Sequence, residues 1–292
     1  MRQTQYTIRG LIQAATIVSA LLGLLAPSAG RASRDVASGW VTAANSEVRL
    51  NWCGEAFTGA VDPKAALLAF LEIEMDPGWK TYWRMPGDAG VAPSFDWTAA
   101  PNVAQALPYF PAPHRLPDQG GEVIGYKGSV IFPVKIDRRN ADAPTPLAAT
   151  INYGICKNIC IPVEVTVKGG CIDGGISAAI ARSVEAVPRA PGERRDSDPA
   201  LAGVSGSVVA NPARLTVDVD FGAGASDTDL FIEAPDGLYV PLPQKAKPDA
   251  KGRASFTVDL SKVPDAKDLL GKELRLTMVS SKGASEALWI AK

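Results

Sequence analysis

Thr150-Ile-Asn-Tyr-Gly-Ile-Cys-Lys-Asn-Ile-Cys-Ile-Pro-Val-Glu-Val-Thr-Val167 reads as a hairpin that carries two of the chain's four cysteines. Ile151 and Tyr153 alternate with polar positions before Cys156, and Val163, Val165 and Val167 alternate with Glu164 and Thr166 after Cys160. A period of two marks a half-buried strand. Gly154 and the Lys157-Asn158 pair supply turn chemistry between the two runs. The stretch therefore predicts two antiparallel strands joined by a short loop, with both thiols at the loop. Two thiols that close can form and open a disulfide without dragging distant parts of the chain together.

The same pattern recurs outward from the hairpin. Val48-Arg-Leu-Asn-Trp52 alternates, Ala65 to Met75 is a long apolar run with acids at Glu72 and Glu74, Val130 to Ile136 is another strand, and Leu147 to Tyr153 leads into the cysteines. Pro and Gly punctuate at short spacing and no helical period persists, the signature of a β-sandwich. Asp76 to Gly90 is rich in aromatics, Gly and Pro and reads as a loop. Its rings, Trp79, Tyr82 and Trp83, either plug one end of the sandwich or cover the cysteine pair. Pro108 to Pro117, with four prolines and the only histidine, His114, is a second irregular stretch.

Gly175 to Val187 places Ile176, Ala179, Ile180 and Val184 on one face of a short amphipathic helix, and the charged, Pro-rich run Arg189 to Pro199 reads as a linker. Strand patterns then return at Arg214 to Phe221, Leu230 to Glu233, Ala254 to Leu260, Leu274 to Val279 and Ala287 to Ile290. The expected fold is all-β: a first sandwich over residues 36–174, a helix and linker over 175–199, and a second, smaller sandwich over 200–292.

The amino terminus has the form of a secretory leader. Arg2 and Arg9 precede an apolar run from Leu11 to Ala26, and small residues follow up to Ala32, where cleavage is expected. The apolar run is short for a bilayer span, which argues against an uncleaved anchor, and no later stretch is long enough to be one. A soluble, exported, periplasmic chain is expected. Without the three arginines of residues 1–32, 27 basic groups face 31 acidic ones, a net charge of −4. That balance gives no electrostatic footprint for nucleic acid or an anionic membrane.

Export implies an oxidising compartment and paired cysteines. Four cysteines allow three connectivities, of which Cys156–Cys160 with Cys53–Cys171 is favoured. In the chain-entropy model the short loop contributes about 2 kcal/mol and the long one about 5 kcal/mol. Cys53–Cys171 would then be the structural staple, while Cys156–Cys160 could open without unfolding the domain.

Three chemistries compete for the Cys156–Cys160 pair. In disulfide exchange the thiolate is the nucleophile, and Lys157 between the thiols would favour it slightly. The spacing is C-x3-C, so no helix N-terminus of the thioredoxin kind is implied. A static hairpin disulfide is the second reading. The third is a copper-handling or client-binding module, in which the two cysteines and His114, with Met75, Met85 or Met278, would suit Cu(I). A hydrolase is disfavoured: there is one histidine, no G-x-S-x-G element and no H-E-x-x-H motif.

Gly78-Trp-Lys-Thr-Tyr-Trp-Arg-Met-Pro-Gly-Asp-Ala-Gly90 and Tyr153-Gly-Ile-Cys-Lys-Asn-Ile-Cys-Ile-Pro162 together resemble the periplasmic N-terminal domain of the thiol:disulfide interchange protein DsbD, and more closely the ScsB-type proteins. Phe95-Asp-Trp97 and Pro111-Ala-Pro-His-Arg-Leu116 fit the same pattern. The likeness covers roughly residues 40–170, and more weakly the second half, since ScsB-type regions carry two immunoglobulin-like domains. It implies an immunoglobulin-like protein-disulfide reductase component without organic cofactor, whose cysteine pair passes reducing equivalents to or from thioredoxin-fold partners. By position Cys160 matches the cysteine that forms the mixed disulfide and Cys156 the resolving one. A cap loop with an aromatic residue shields the pair in that family, and residues 79–90 are the counterpart. The sequence ends at Lys292 with no transmembrane electron carrier, so the electron source is expected to be a separate membrane protein.

Overall fold

A computed structural model describes residues 39–51, 67–87, 89–118, 121–170 and 178–292. The expected leader, Cys53 and Cys171 lie outside these described residues.

The first half builds on β1 (Val41–Ala43), β2 (Ser46–Asn51), β3 (Leu67–Met75), β4 (Lys80–Gly87), β5 (Ser94–Asp96), β6 (Val103–Pro108), β7 (His114–Asp118), β8 (Gly121–Lys127), β9 (Ser129–Arg138), β10 (Ala148–Cys156) and β11 (Cys160–Gly170). The hairpin forms as its alternation demands: β10 and β11 pair antiparallel from Ala148 opposite Lys168 to Cys156 opposite Cys160. Val163, Val165 and Val167 point inward while Glu164 and Thr166 are exposed, and the Thr166 hydroxyl meets that of Thr150 across the pair at 2.8 Å.

The strands follow one path, β6-β9-β3-β2-β11-β10-β4-β8-β7, with β1 on β2 and β5 on β10. The path folds on itself at β11, whose terminal Gly169 and Gly170 run parallel to Leu50 and Asn51 of β2. One core fills the space between the resulting layers. Val48, Leu50, Leu71, Ile73 and Phe132 come from one side and Ile124, Ile151, Tyr153, Val165 and Val167 from the other. At its centre Phe132 meets Phe110, Phe95 and Tyr126 edge-on, at 5.1, 5.4 and 5.8 Å between ring centres.

The predicted loop over residues 76–90 is corrected: Lys80–Gly87 is strand β4. It escaped a period-two reading because its pairing is irregular. Lys80 to Tyr82 pair with Gly125 to Lys127 of β8, then the register shifts before Gly87 meets Val123. Burial runs unbroken through Lys80, Thr81, Tyr82 and Trp83, so no alternation is visible in the sequence. Part of the irregular stretch 108–117 is likewise strand: Pro108 closes β6 and His114–Pro117 make up most of β7.

The helix α1 (Ala178–Glu185) packs Ile180 and Val184 over Leu68, Phe70 and Ile131, on the outward side of β3 and β9. The charged run after it is not free chain. The buried Arg189 side chain pairs with Asp198 at 3.0 Å, and its backbone exchanges hydrogen bonds with Ala284 and Glu286.

The second half has two three-stranded sheets. One is β12 (Ala200–Ser207), β13 (Arg214–Asp220) and β15 (Arg253–Asp259); the other is β14 (Asp229–Glu233), β16 (Glu273–Ser280) and β17 (Gly283–Ile290), ordered β14-β16-β17. Leu215, Val217, Val219, Phe256 and Val258 of the first meet Leu230, Ile232, Leu274, Leu276 and Met278 of the second in a core of their own. The chain is thus mostly β, with its sheets in sandwich-like layers.

The sheet β14-β16-β17 is buried on both faces along β14 and the paired stretches Leu276–Val279 and Ala284–Ser285, while Arg275, Leu288 and Ile290 leave its far end exposed. Its register places Asp229, Phe231, Glu233, Thr277, Val279, Ala284 and Glu286 on the face opposite Leu230 and Ile232. From that face Phe231, Val279 and Ala284 join the core of the first half. A sheet buried twice reads as continuous apolar sequence, as Leu230-Phe-Ile232 does.

Candidate functional site

The site sits where β10 ends and β11 begins. Cys156 and Cys160 face each other as the last pair of the hairpin and form a disulfide with Cα atoms 4.2 Å apart. The register puts Cys156 on the face of Gly154, opposite the core row of Tyr153 and Ile155, yet it is only 1 % exposed because other side chains cover it. Cys160 lies at the exposed edge of the turn. Ile159, immediately before it, is 67 % exposed. The two sulfurs of one bond therefore occupy different surroundings.

β4 supplies the cover. It pairs with the end of β10 through Thr81 opposite Ile155 and Lys80 opposite Cys156, and the Thr81 hydroxyl donates to the Gly154 carbonyl at 2.8 Å. That pairing brings the fully buried Tyr82 over the disulfide. Its hydroxyl donates to Cys156 Sγ at 2.7 Å and lies 3.3 Å from Cys160 Sγ. Tyr82, Leu116, Val123 and Cys156 form a small apolar cluster of their own. A side chain at Gly90, whose φ is +125°, would strike the Tyr82 ring: a Cβ there lies 2.3 Å from Cε1. The glycine is what lets the chain after β4 close against the ring.

Burial, and after it the negative charge of Asp118, push the Tyr82 hydroxyl above its ordinary value. It keeps its proton at neutral pH and stays a donor to sulfur. Asp118 is itself held by Lys80, whose ammonium reaches its carboxylate at 2.9 Å and the Pro117 carbonyl at 2.8 Å.

Of the three aromatic candidates, Tyr82 is the ring that hydrogen-bonds the sulfurs. Trp83 is buried in the first core, 5.7 Å from Phe231, and Trp79 packs half-buried against that same core. Lys157 turns away from the thiols and donates to the Pro77 carbonyl at 3.3 Å. His114 is exposed on β7 and its backbone pairs with Gly125. Met75 and Met278 lie in two different cores, and Met85 packs against the first. Among the described residues, no group of three or more His, Cys, Asp or Glu side chains is placed to hold a metal ion. Nor is any helix among them long and apolar enough to cross a membrane.

Lys80 and Leu116 fall within segments that carry the family resemblance, but no local pattern put them, Val123 or Asp118 around the pair. Leu116, Val123 and Asp118 meet it only through the β4-β8-β7 register. Lys80 meets Cys156 through the β10–β4 register.

Residues 48–169 match the family model of the N-terminal domain of the thiol:disulfide interchange protein DsbD. The fold matches the crystal structure of the N-terminal periplasmic domain of ScsB from Proteus mirabilis, with a TM-score of 0.65 and 23 % identity over 87 % of this chain and 97 % of that one. No curated protein matches the sequence. The chain therefore carries a domain of the DsbD N-terminal type, spanning the hairpin and its cover, within a fold like that of the ScsB N-terminal region.

Proposed function

We propose that this chain is a periplasmic thiol–disulfide exchange protein. Cys160 is the sulfur that meets the partner and Cys156 the one that resolves the mixed disulfide. One observation carries the reading: a single disulfide with one sulfur buried beneath Tyr82 and the other exposed at a turn. In-line attack on a disulfide needs access to the sulfur attacked, and only Cys160 offers it.

The exchange is a two-electron transfer. In the reduced chain the Cys160 thiolate attacks one sulfur of a partner disulfide, and the partner's other sulfur leaves as a thiolate and takes a proton. Cys156, as thiolate, then attacks Cys160 Sγ. The Cys156–Cys160 bond forms, the bond to the partner breaks, and the second partner sulfur leaves as a thiolate. The partner is reduced and this chain oxidised. Recharging runs the same steps backwards: a donor thiolate attacks Cys160 Sγ and Cys156 leaves as a thiolate, stabilised by the Tyr82 hydroxyl.

Thioredoxin-fold proteins are the partners this reading names, and a separate membrane electron-transfer protein is the source. The periplasmic placement is supported by the leader-like residues 1–32 and by the likeness to a periplasmic domain. The division at residues 36–174, 175–199 and 200–292 belongs to the same proposal, with the redox pair in the first segment.

The test is mixed-disulfide trapping. Reduced Cys156→Ala protein, mixed with an oxidised thioredoxin-fold domain, is expected to accumulate an adduct that peptide mapping assigns to Cys160. Cys160→Ala is expected to give none through Cys156. Equal adduct through Cys156 would sink the assignment of roles, and no adduct in either variant would sink exchange itself.

A further inference from the structure

The two halves meet through a set of contacts aimed at the strands that wall the disulfide. Arg84 lies two residues after Tyr82. Its guanidinium sits over the Trp83 ring at 4.3 Å and donates to both carboxylate oxygens of Glu233, at 2.8 and 2.7 Å, and to Glu286 at 2.6 Å. Arg115, next to Leu116, grips Asp229 in the same two-pronged way, at 3.1 and 2.7 Å, and also donates to the Pro243 carbonyl at 3.0 Å. Its side chain is 3 % exposed. Between the two arginines Trp83 packs on Phe231.

Asp229, Phe231, Glu233 and Glu286 all lie on one face of the sheet β14-β16-β17. The residues they hold belong to β4 and β7, the strands that contribute Tyr82, Leu116 and Asp118 to the site. Planar two-pronged pairs fix orientation as well as distance. Burial alone would lower the Arg84 pKa, but Glu233 and Glu286 outweigh it and hold it above the ordinary value, so the guanidinium is charged at every working pH.

We infer that the second half is a positioning element of the redox site: Arg84, clamped by Glu233 and Glu286, holds β4 so that the Tyr82 hydroxyl stays on the sulfur of Cys156. This deepens the exchange reading and rests on it. An O–H donor binds a thiolate more strongly than a disulfide sulfur, so a well-placed Tyr82 favours the reduced, ionised pair. Loosening β4 lets the hydroxyl leave, and the pair becomes harder to reduce.

The experiment measures the equilibrium constant of the full chain with glutathione, at pH 7 and pH 9, for wild type, Tyr82→Phe, Arg84→Gln, Glu286→Gln and Tyr82→Phe/Arg84→Gln. Tyr82→Phe is expected to disfavour reduction about tenfold, which is about 30 mV, with the larger effect at pH 9 where more thiolate is present. Arg84→Gln is expected to shift the constant the same way. In the double variant it is expected to add nothing to Tyr82→Phe, because it acts through that hydroxyl.

Glu286→Gln keeps the Arg84–Glu233 pair and guards against loss of folding. It is expected to give a smaller shift of the same sign. A folded Arg84→Gln or Glu286→Gln protein with the wild-type constant overturns the inference, as does an Arg84 effect that adds fully to that of Tyr82→Phe. A wild-type pair that stays oxidised at every glutathione ratio overturns the exchange reading as well, so the two failures are told apart.

Discussion

Removing the Cys156–Cys160 bond should leave the protein folded. The perturbation is the double variant Cys156→Ala/Cys160→Ala, which spares Cys53 and Cys171. The bond closes a loop of five residues, counted from its sequence separation of four. A ring that small restrains the unfolded chain by about 2 kcal/mol. Cys156 is buried, so losing its sulfur forfeits about 1 kcal/mol more, near the value of one buried methylene. The hairpin does not depend on the bond for its register. Eight further residue pairs, from Ala148–Lys168 to Ile155–Ile161, hold β10 to β11, and β10 is also paired to β4 and β5. The expected total is about 3 kcal/mol, within what a domain of ordinary stability tolerates. Urea denaturation should show a lowered midpoint with an unchanged slope, and hydrogen exchange should speed up near residues 155–161 while the centres of β3 and β9 stay protected. A loss above about 5 kcal/mol, or an unfolded variant, would refute the reasoning. It would mean the bond is a staple, and a shuttle cannot unfold each time it is reduced.

Two further outcomes follow from the fold. Burial raises the pKa of Tyr82, Tyr126 and Tyr153, in each case as the first cause, so above about pH 10 the unfolded chain sheds protons that the folded one keeps. Stability should then fall as pH rises above about 10, and Tyr126→Phe, which removes the hydroxyl held well above its ordinary value, should flatten the fall; a flat wild-type profile between about pH 10 and 11 contradicts it. A Cβ at Gly125 would lie 2.0 Å from the Thr81 carbonyl oxygen, whereas one at Gly128 meets nothing. Gly125→Ala should therefore cost about 3 kcal/mol against about 1 to 2 kcal/mol for Gly128→Ala, and equal thermal midpoints would show that β4 and β8 do not approach so closely.

What could be read from the sequence was whatever a period of two reveals. The hairpin at residues 150–167 and the alternating runs at Arg214 and Ala254 became strands because one face of each is solvated, whereas the run at Val48 alternates in sequence although its strand is buried on both faces. β4 was illegible for the opposite reason. It is buried on both sides over Lys80 to Trp83, bulged, and carries a lysine inside through its pairing with Asp118 and Pro117. The same holds for the site. Two cysteines with three residues between them announce themselves, while the choice of Tyr82 over Trp79 and Trp83 as the ring on the sulfurs depends on a register that no local pattern encodes. The contact between the halves was hidden too. Arg84, Glu233 and Glu286 are 149 and 202 residues apart, and each reads alone as a solvated charge.

A redox module of this kind faces two demands that pull apart. The bond must break and re-form, so the fold cannot lean on it; its buried sulfur must nonetheless be held against a fixed donor, so its surroundings cannot be soft. The hairpin meets the first demand by placing the cysteines at its last pair, beyond the residues that carry the core. It cannot meet the second alone, because Tyr82 reaches the sulfurs from β4, which meets β10 at only two residue pairs and whose pairing with β8 is broken by a bulge just after Tyr82. The sheet β14-β16-β17 supplies the missing side. Its apolar Phe231 and its acids Asp229, Glu233 and Glu286 press on β4 and β7 from outside the first sandwich. Burying three carboxylates against two arginines is costly in desolvation and adds little net stability, so a hydrophobic face would serve better if adhesion were the only purpose. Charged forks at that face make sense where orientation matters more than adhesion. The orientation they fix is that of the strand bearing Tyr82.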